Sequence, residues 1–401
     1  MFQKQIKIEG EENIKTYEYK GEDQSITYKY FINELTQKLL DYIPIWLSPN
    51  ILSILGLLIN SITFFIDICF TGLKGDEDVE FYIQFINCIL NFLYLLIHKC
   101  VIKQAKRTNS LNCLVILINH SISTINALLI SINFSSLIGF DELYLYLYFY
   151  FPIFNVFYFN KWEEYMNGEL ILPKFNGICD GITLICFFEL LTCVVGNGFW
   201  HFSFYGYYLI ISKILIYFCF IYGFYLCFNS FINVTKKNPD KISKTSINFF
   251  VYYILNLLTL FLINKSKRSN LIQYYPKVVI FTFGISLSQL IGEIHLSHLQ
   301  KIEFNPNKLY CLPPILFPLI HILLGYFPKK DFIFTIDYTL LATLSWNLTI
   351  YSYWIYNASI EISDILFINI LSLEERKREP INMNLYPYFL FKFLLNSLFF
   401  S

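Results

Sequence analysis

Charge is what this 401-residue sequence has least of. Lys, Arg, Asp and Glu together make up 15% of it, where soluble domains carry about 25%. A water-soluble surface of ordinary composition is therefore excluded. The charge that is present balances, 30 basic against 30 acidic residues, so no net field draws in a nucleic acid or other polyanion. Paired-cysteine spacing is also missing. The ten cysteines are scattered, no CxxC occurs, and Cys69, Cys88, Cys186, Cys193, Cys219 and Cys227 sit inside apolar runs, which reads as small buried hydrophobes rather than a zinc or disulfide framework. Residues 1–45 hold no apolar core segment of the kind a cleavable signal needs, so insertion is expected to rely on the first membrane helix. No internal repeat, domain linker or low-complexity tract interrupts the chain.

Apolar length is what the sequence has instead. Hydrophobic residues reach 55%, and runs of about 18 or more recur, each long enough to span hydrocarbon as a helix. The pattern predicts an all-α polytopic membrane bundle of about ten transmembrane helices, near 51–70, 81–98, 113–137, 144–160, 178–196, 206–230, 247–264, 277–296, 311–327 and 333–356. Residues 1–27 are polar and unpatterned and read as a mobile tail. From Tyr28 to Ile43, Phe31, Leu35, Leu39, Leu40 and Ile43 recur at helical spacing with Lys29, Lys38 and Asp41 between them, which suits an amphipathic helix lying in the membrane interface or packed on the protein itself. Pro44 and Pro49 then force a turn before the first span. Residues 374–401 form a C-terminal tail in which Leu385 to Phe400, about 16 residues, is short for a span and reads as an interfacial anchor.

Orientation follows from loop lysines and arginines. Lys4, Lys7, Lys15, Lys20, Lys29 and Lys38 precede the first span, Lys99, Lys103, Lys106 and Arg107 follow the second, and Lys236, Lys237, Lys241 and Lys244 follow the sixth, while the first, third and fifth loops hold only Lys74. Both termini are expected in the cytosol. The seventh loop, with Lys265, Lys267 and Arg268, breaks the alternation.

Lys103-Gln104-Ala105-Lys106-Arg107-Thr108-Asn109-Ser110 closely resembles the KQARRTNS segment of eukaryotic choline and ethanolamine phosphotransferases, integral membrane enzymes of the CDP-alcohol phosphotransferase (CDP-alcohol phosphatidyltransferase class I) family. Three further segments agree in order. Pro44 to Asn50 is similar to a P-x-W-x-A-P-N segment, Trp162 to Leu170 to W-x-x-Y-x-x-G-x-L, and Asn176 to Gly181 to N-G-x-x-E-G. Ser297-His298-Leu299 and Asp337-Tyr338 fall where similar pairs occur. The resemblance covers residues 28–373, taken as one membrane domain.

The family signature, D-x2-D-G-x2-A-R-x8-G-x3-D-x3-D, lies on this chain without a gap at His98, Val101, Ile102, Ala105, Lys106, Val115, Asn119 and Ser123. Every acidic position is empty. In the family these carboxylates bind magnesium, which offsets the diphosphate of a CDP-alcohol, and the last one helps deprotonate the hydroxyl of diacylglycerol. Magnesium needs hard oxygen ligands. Asn119 keeps an oxygen but no charge, Val101 offers nothing, His98 suits zinc or copper better, and Ser123 is no base near neutral pH. The metal positions of the family thus fall on His98, Val101, Asn119 and Ser123, and magnesium binding is expected to be weak or absent.

The resemblance implies a protein of phospholipid biosynthesis, moving phosphocholine or phosphoethanolamine from CDP-choline or CDP-ethanolamine to diacylglycerol, in the endoplasmic reticulum or Golgi membrane. The vacant positions leave a second reading open: an inactive homologue that binds lipid or CDP-alcohol, or partners an active paralogue as a homodimer or heterodimer. His120 is the candidate base. Asn50, Lys103, Gln104, Ala105, Lys106, Arg107, Asn119 and Asp180 are candidates for substrate binding. Against these stand structural readings: a bonded core histidine for His120, a lipid-facing basic loop for Lys103 to Arg107, and interfacial acids for Asp180 and Glu164. Asp67 and Glu189 are acids inside expected spans, which calls for partners within the bundle.

Overall fold

A chain crossing hydrocarbon must satisfy its own N–H and C=O groups, so each isolated apolar run has to coil into a helix. The computed structural model describes residues 4–72, 80–138, 153–202, 211–238, 275–305 and 336–374, with isolated positions between 250 and 258 and at 316 and 319. It contains helices α1 (Ile8–Lys15), α2 (Asn33–Tyr42), α3 (Pro49–Thr71), α4 (Phe81–Arg107), α5 (Cys113–Ile138), α6 (Val156–Asn167), α7 (Ile182–Val195), α8 (Ile211–Lys237), α9 (Pro276–Gln300) and α10 (Ile336–Leu366). Six stretches are long and apolar enough to cross a membrane: α3, α4, α5, Gly177–Val195, α8 and α9. The expectation of about ten is thereby corrected to six among the described residues. Those expected at 144–160, 247–264 and 311–327 lie mostly or wholly outside the described residues, as do the anchor at 385–400 and Lys241, Lys244, Lys265, Lys267 and Arg268. The last expected span falls on α10, where Ser, Thr, Asn and Tyr lower the hydropathy.

The helix ends follow local chemistry. Pro49 opens α3, where its missing N–H costs nothing, and Gly72 closes it. Lys106 and Arg107 complete α4, opposite in sign to the carbonyl end of its dipole. The Asn112 carboxamide accepts the Leu114 and Val115 amides at 3.0 and 3.1 Å, capping α5.

Hydropathy does not distinguish inner from outer helices, but burial does. In α5 and α9, 83% and 89% of the apolar stretch is buried, against 28–39% in the other four. The two inner helices pack on each other and carry the polar groups, among them Asn119, Ser123, Asn126 and Asn133 on α5 and Ser288, Gln289 and His295 on α9. The outer helices present Phe65, Phe85, Phe187, Phe218 and Phe228 outward, a surface that only lipid or a partner can cover. Gly292 on α9 lies against α10, where an added Cβ would meet the Trp354 ring at 2.5 Å.

The polar N-terminal stretch, expected to be mobile, is folded from residue 4 onward. Ile6 and Ile14 are buried in one apolar cluster with Leu114, Leu299 and Trp354. The Gln5 and Ile6 amides donate to the Glu361 carboxylate at 3.0 and 2.7 Å. Beyond α1, strand β1 (Gly21–Asp23) pairs in parallel with β2 (Leu170–Leu172), in the register Gly21 to Leu170 and Asp23 to Leu172. Gly168, left-handed at φ 81°, ends α6 and turns the chain into β2, a conformation that favours glycine. Asp23 then reaches α4, where Lys99 Nζ sits 2.6 Å from its carboxylate. The helical turn Tyr28–Ile32 and α2, which follows it directly, bury Ile32, Thr36 and Leu40 against the bundle while Tyr30 and Phe31 stay exposed, so the segment is packed on the protein along one face.

Two consequences can be measured. Gly292→Ala should lower the midpoint of thermal unfolding, because overpacking a rigid indole costs about 1–3 kcal/mol, whereas Gly198→Ala, with nothing within 4 Å, should change it little. Burial alone would raise the Asp23 carboxyl, but the Lys99 ammonium and the Ser25 amide hold it down to about 2 from an ordinary 3.8. A depressed acid stabilises the fold above its unfolded value and loses that contribution as pH falls through the folded one. The stability advantage of the wild type over Asp23→Asn, roughly 1–2 kcal/mol, should accordingly be constant above pH 4 and vanish towards pH 2 in pH-resolved thermal melts.

Candidate functional site

Strand β1 closes one side of a cavity of about 210 Å3, bounded by the site-side ends of α4, α5, α6 and the turn before α7. His98, Lys99 and Lys106 reach it from α4, and Asn119, His120 and Ser123 from α5. Tyr19, Glu22 and Asp23 reach it from the N-terminal segment, and Asn160 and Lys161 from α6. The Tyr19 hydroxyl is pushed up to about 12, first by burial and then by the Glu164 charge, so it stays protonated and able to donate. A second cavity of about 150 Å3 is lined almost wholly by apolar side chains such as Ile130, Phe134, Ile185 and Leu226. Ser123, Val156, Phe157, Gly177 and Ile178 line both, so a polar chamber continues into an apolar one, the shape that suits an amphiphile.

The signature positions divide in two. His98, Asn119 and Ser123 come together on the cavity: Ser123 Oγ lies 3.4 Å from His98 Nδ1 and the Asn119 carbonyl side-chain oxygen accepts from Ser53 at 3.4 Å. Val101, Ala105 and Val115 do not face the cavity. They are buried with Leu52 and Cys100, covered by Leu39 and Ile43 of the α2 segment. Of these three, Val101 is the one at an acidic signature position, and apolar packing surrounds it.

The basic segment is built into the scaffold. Lys103 donates to the Asn33 carbonyl (2.9 Å), the Asn33 side chain (2.7 Å) and Thr36 Oγ1 (2.5 Å), using all three ammonium protons on α2. Gln104 donates to the Pro44 and Leu47 carbonyls at 3.1 and 2.8 Å. Arg107 donates to the Leu40 and Ile43 carbonyls, both at 2.6 Å, a cation on the carbonyl end of α2 where the helix dipole favours it. Lys106 alone lines the cavity with no hydrogen bond or ion pair among the described residues. Asn50 donates to the Ile370 carbonyl at 2.7 Å, and Asp180 accepts from the Thr27 amide and hydroxyl, both at 2.8 Å, and from the Asn176 amide at 3.0 Å. Both hold chain segments together and neither lines the cavity.

Behind His120 lies a cluster that sequence reasoning did not assemble. The His120 ring meets the His295 ring edge-on with centroids 4.7 Å apart, and its Nε2 has no partner among the described residues. His295 Nδ1 is 3.6 Å from Glu164, which pairs with Lys161 at 2.5 Å, and His298 Nε2 is 3.9 Å away. Glu164 is thus a fully buried acid, not an interfacial one. Only the helical spacing of His295 and His298, three residues apart on α9, could have signalled this; α6 gave no sign of facing them.

The donors present do not fit magnesium. The carboxylates that line the cavity, Glu22 and Asp23, come from β1, and Asp23 is engaged by Lys99 at 2.6 Å, Ser25 at 3.0 Å and Asn176 at 3.0 Å. The four acidic signature positions offer an imidazole, a valine, an amide and a hydroxyl, without the anionic oxygens that hold a hard octahedral ion.

No family model matches the sequence. Curated relatives do. Cholinephosphotransferase 1 of Saccharomyces cerevisiae is 26% identical over 402 aligned positions, covering 91% of this chain and 97% of the relative. Choline/ethanolaminephosphotransferase 1 of the same yeast is 26% identical over 343, covering 78% and 82%. A CDP-alcohol phosphatidyltransferase class-I family protein of Dictyostelium discoideum is 26% identical over 324, covering 80% and 76%. Agreement over 78–91% of the chain makes this helical bundle similar to the choline and ethanolamine phosphotransferases of yeast and to the CDP-alcohol phosphatidyltransferase class-I family protein of Dictyostelium.

Proposed function

We propose that this chain is a non-catalytic member of its family, holding a CDP-alcohol or a phospholipid head group in the cavity within a phospholipid-synthesising membrane. The observation that carries the reading is the burial of Val101, at an acidic signature position, in an apolar cluster, while His98, Asn119 and Ser123 at the other three bring no anionic oxygen to the cavity, so the charge that metal-assisted phosphotransfer needs is missing. Metal assistance is worth several kcal/mol to a transition state, and about 1.4 kcal/mol is tenfold in rate. What survives is suited to binding: Lys106 is free for phosphate, and the apolar cavity adjoining Ser123 takes a chain. The head group recognised is choline or ethanolamine, by analogy with what the yeast relatives' names state. The membrane is that of the endoplasmic reticulum or Golgi, with the α4–α5 turn and both termini in the cytosol, and an active paralogue is the natural partner.

A second reading rests on His120, which lines the cavity, has no partner for Nε2 among the described residues, and lies against His295, with Glu164 next to that ring. That arrangement could take a proton from a hydroxyl acceptor without a metal-bound carboxylate, with the family's transfer from CDP-alcohol to diacylglycerol retained.

One experiment separates the two. Membranes containing only this protein, supplied with labelled CDP-ethanolamine and diacylglycerol, should yield no phospholipid above the blank, with or without magnesium. CDP-ethanolamine should still raise the melting midpoint, independently of magnesium, and Lys106→Ala should weaken that effect several-fold. Product formation that His120→Ala abolishes would overturn the non-catalytic reading in favour of the second.

Restoration gives a further check. The combined change His98→Asp, Val101→Asp, Ile102→Gly, Val115→Gly, Asn119→Asp and Ser123→Asp should create magnesium-dependent stabilisation and raise turnover from the blank. Val101→Asp alone should destabilise by several kcal/mol, as an unpaired acid in an apolar cluster does. Topology is tested through Asn109→Cys in sealed vesicles. An impermeant maleimide should label it above the native-thiol background only from the cytosolic side, and labelling from the lumenal side would reject the orientation.

A further inference from the structure

At the end of the bundle away from the cavity, α4 and α7 meet through a set of groups that the proposed function does not use. Cys88 of α4 and Cys186 of α7 face each other closely, the Cys88 thiol donating to the Cys186 carbonyl at 3.4 Å and the Cys186 thiol to the Cys88 carbonyl at 3.7 Å. Glu189, one turn along α7, is 1% exposed. One of its oxygens accepts from Asn91 Nδ2 at 2.8 Å, while Oε2 has no partner and neither has Asn91 Oδ1. Ligand atoms of Cys88, Cys186 and Glu189 all lie within 4.8 Å of one another.

Glu189 differs from Asp67 and Glu164, two other buried acids of the bundle. Asp67 and Glu164 are each matched by a lysine, Lys277 at 2.8 Å and Lys161 at 2.5 Å; Glu189 has no cation among the described residues. Two thiols and a carboxylate thus converge between the helices, with the Asn91 carboxamide bonded to that carboxylate and its Oδ1 unpartnered among the described residues. We propose that Cys88, Cys186 and Glu189, with Asn91 Oδ1 as fourth donor, form a binding site for a thiophilic divalent cation of the zinc type.

The chemistry matches the donors. Zinc takes thiolate sulfur at about 2.3 Å and carboxylate oxygen at about 2.0–2.2 Å in tetrahedral array, which sets neighbouring ligands about 3.7 Å apart. Binding releases one proton from each thiol to solvent, with the carboxylate supplying the third negative charge. A hard ion such as magnesium is excluded by the two sulfurs. With a rise of about 1.5 Å per residue, Cys88 lies roughly 10 Å from the start of α4 and Glu189 roughly 9 Å from the end of α7, two turns inside the same face of the bundle. A cation there would staple the two helices whose opposite ends carry His98, Lys99 and the turn before α7, and so fix the width of the cavity.

The test uses the reduced, metal-stripped full chain in nanodiscs, with zinc alone and cobalt alone as probes. The wild type should take up one equivalent of zinc, gain several degrees in its melting midpoint, and show a thiolate-to-cobalt charge-transfer band. Cys88→Ser and Cys186→Ser should each weaken zinc at least tenfold and remove the band. Glu189→Gln should weaken zinc about tenfold while keeping the band, and Cys227→Ser should leave both readouts unchanged. Absence of stoichiometric uptake by the wild type, uptake without the charge-transfer band, unchanged affinity in both serine variants, or a Cys88–Cys186 disulfide in the isolated protein would each overturn the proposal. The wild-type band and Glu189→Gln decide the matter if a serine variant does not fold.

Discussion

Charge inside this bundle has to be paired, and much of the architecture follows from how it is paired. Lys161 with Glu164 and Lys277 with Asp67 are ion pairs with both partners almost wholly buried, and Lys99 with Asp23 is nearly so. Breaking one by removing a single partner leaves an uncompensated charge and costs about 3–5 kcal/mol. Two of the pairs cross between distant segments, Asp23 tying the N-terminal strand to α4 and Asp67 tying α3 to α9, while Lys161 and Glu164, three residues apart on α6, sit where that helix meets the histidines of α9. Each pair is also a withdrawal of chemistry. A lysine bound to an aspartate is not available to a phosphate, and Asp23, which lines the cavity, is held by Lys99 and by hydrogen bonds from Ser25 and Asn176.

The same logic explains why two helices of ordinary hydropathy end up inside. Helices α5 and α9 carry Asn, Ser, Gln and His at positions that outer helices fill with Phe and Ile. Lipid cannot bond those groups, so they turn to each other; Tyr351 of α10, for example, donates to the Ser121 carbonyl at 2.8 Å, and Asn347 to the Thr282 carbonyl at 2.8 Å. Inner position is set by the distribution of polar groups rather than by mean apolarity.

That distinction marks what the sequence alone could tell. Helix existence, the Pro44–Pro49 turn, the capped hairpin between α4 and α5 and the vacancy of the acidic positions were legible, because each depends on local periodicity, proline geometry or a fixed spacing. The N-terminal segment was not. Its composition reads as disorder, and it folds because Ile6, Ile14 and the β1 backbone find partners 150 to 350 residues away, such as Leu170 and Glu361. The grouping of His120 with His295 and Glu164 was illegible for the same reason, since three helices far apart in sequence supply it. Exchange of Lys103 and Arg107 from ligand candidates to clamps on α2 needed the coordinates of the carbonyls they reach.

Those clamps bear on why the chain resembles its family at some positions and departs at others. Gln104 and Arg107, kept from the KQARRTNS pattern, bond to the α2 end and the Pro44–Leu47 turn, and Asn50, Asn176 and Gly168 each close a backbone junction. Replacing any of them would leave unpaired buried carbonyls or a strained turn, at about 1–3 kcal/mol each. The four acidic positions stand differently. Without a metal, carboxylates grouped on two facing helices repel each other and must be desolvated, so their loss relieves the fold rather than burdening it. A valine at 101, packed with Leu52 and Cys100, contributes about 1.5–3 kcal/mol by burial instead. Residues that shape the hairpin match the family pattern and the four acidic positions do not, and the energetic direction of each difference is the one that stability of the fold alone would favour.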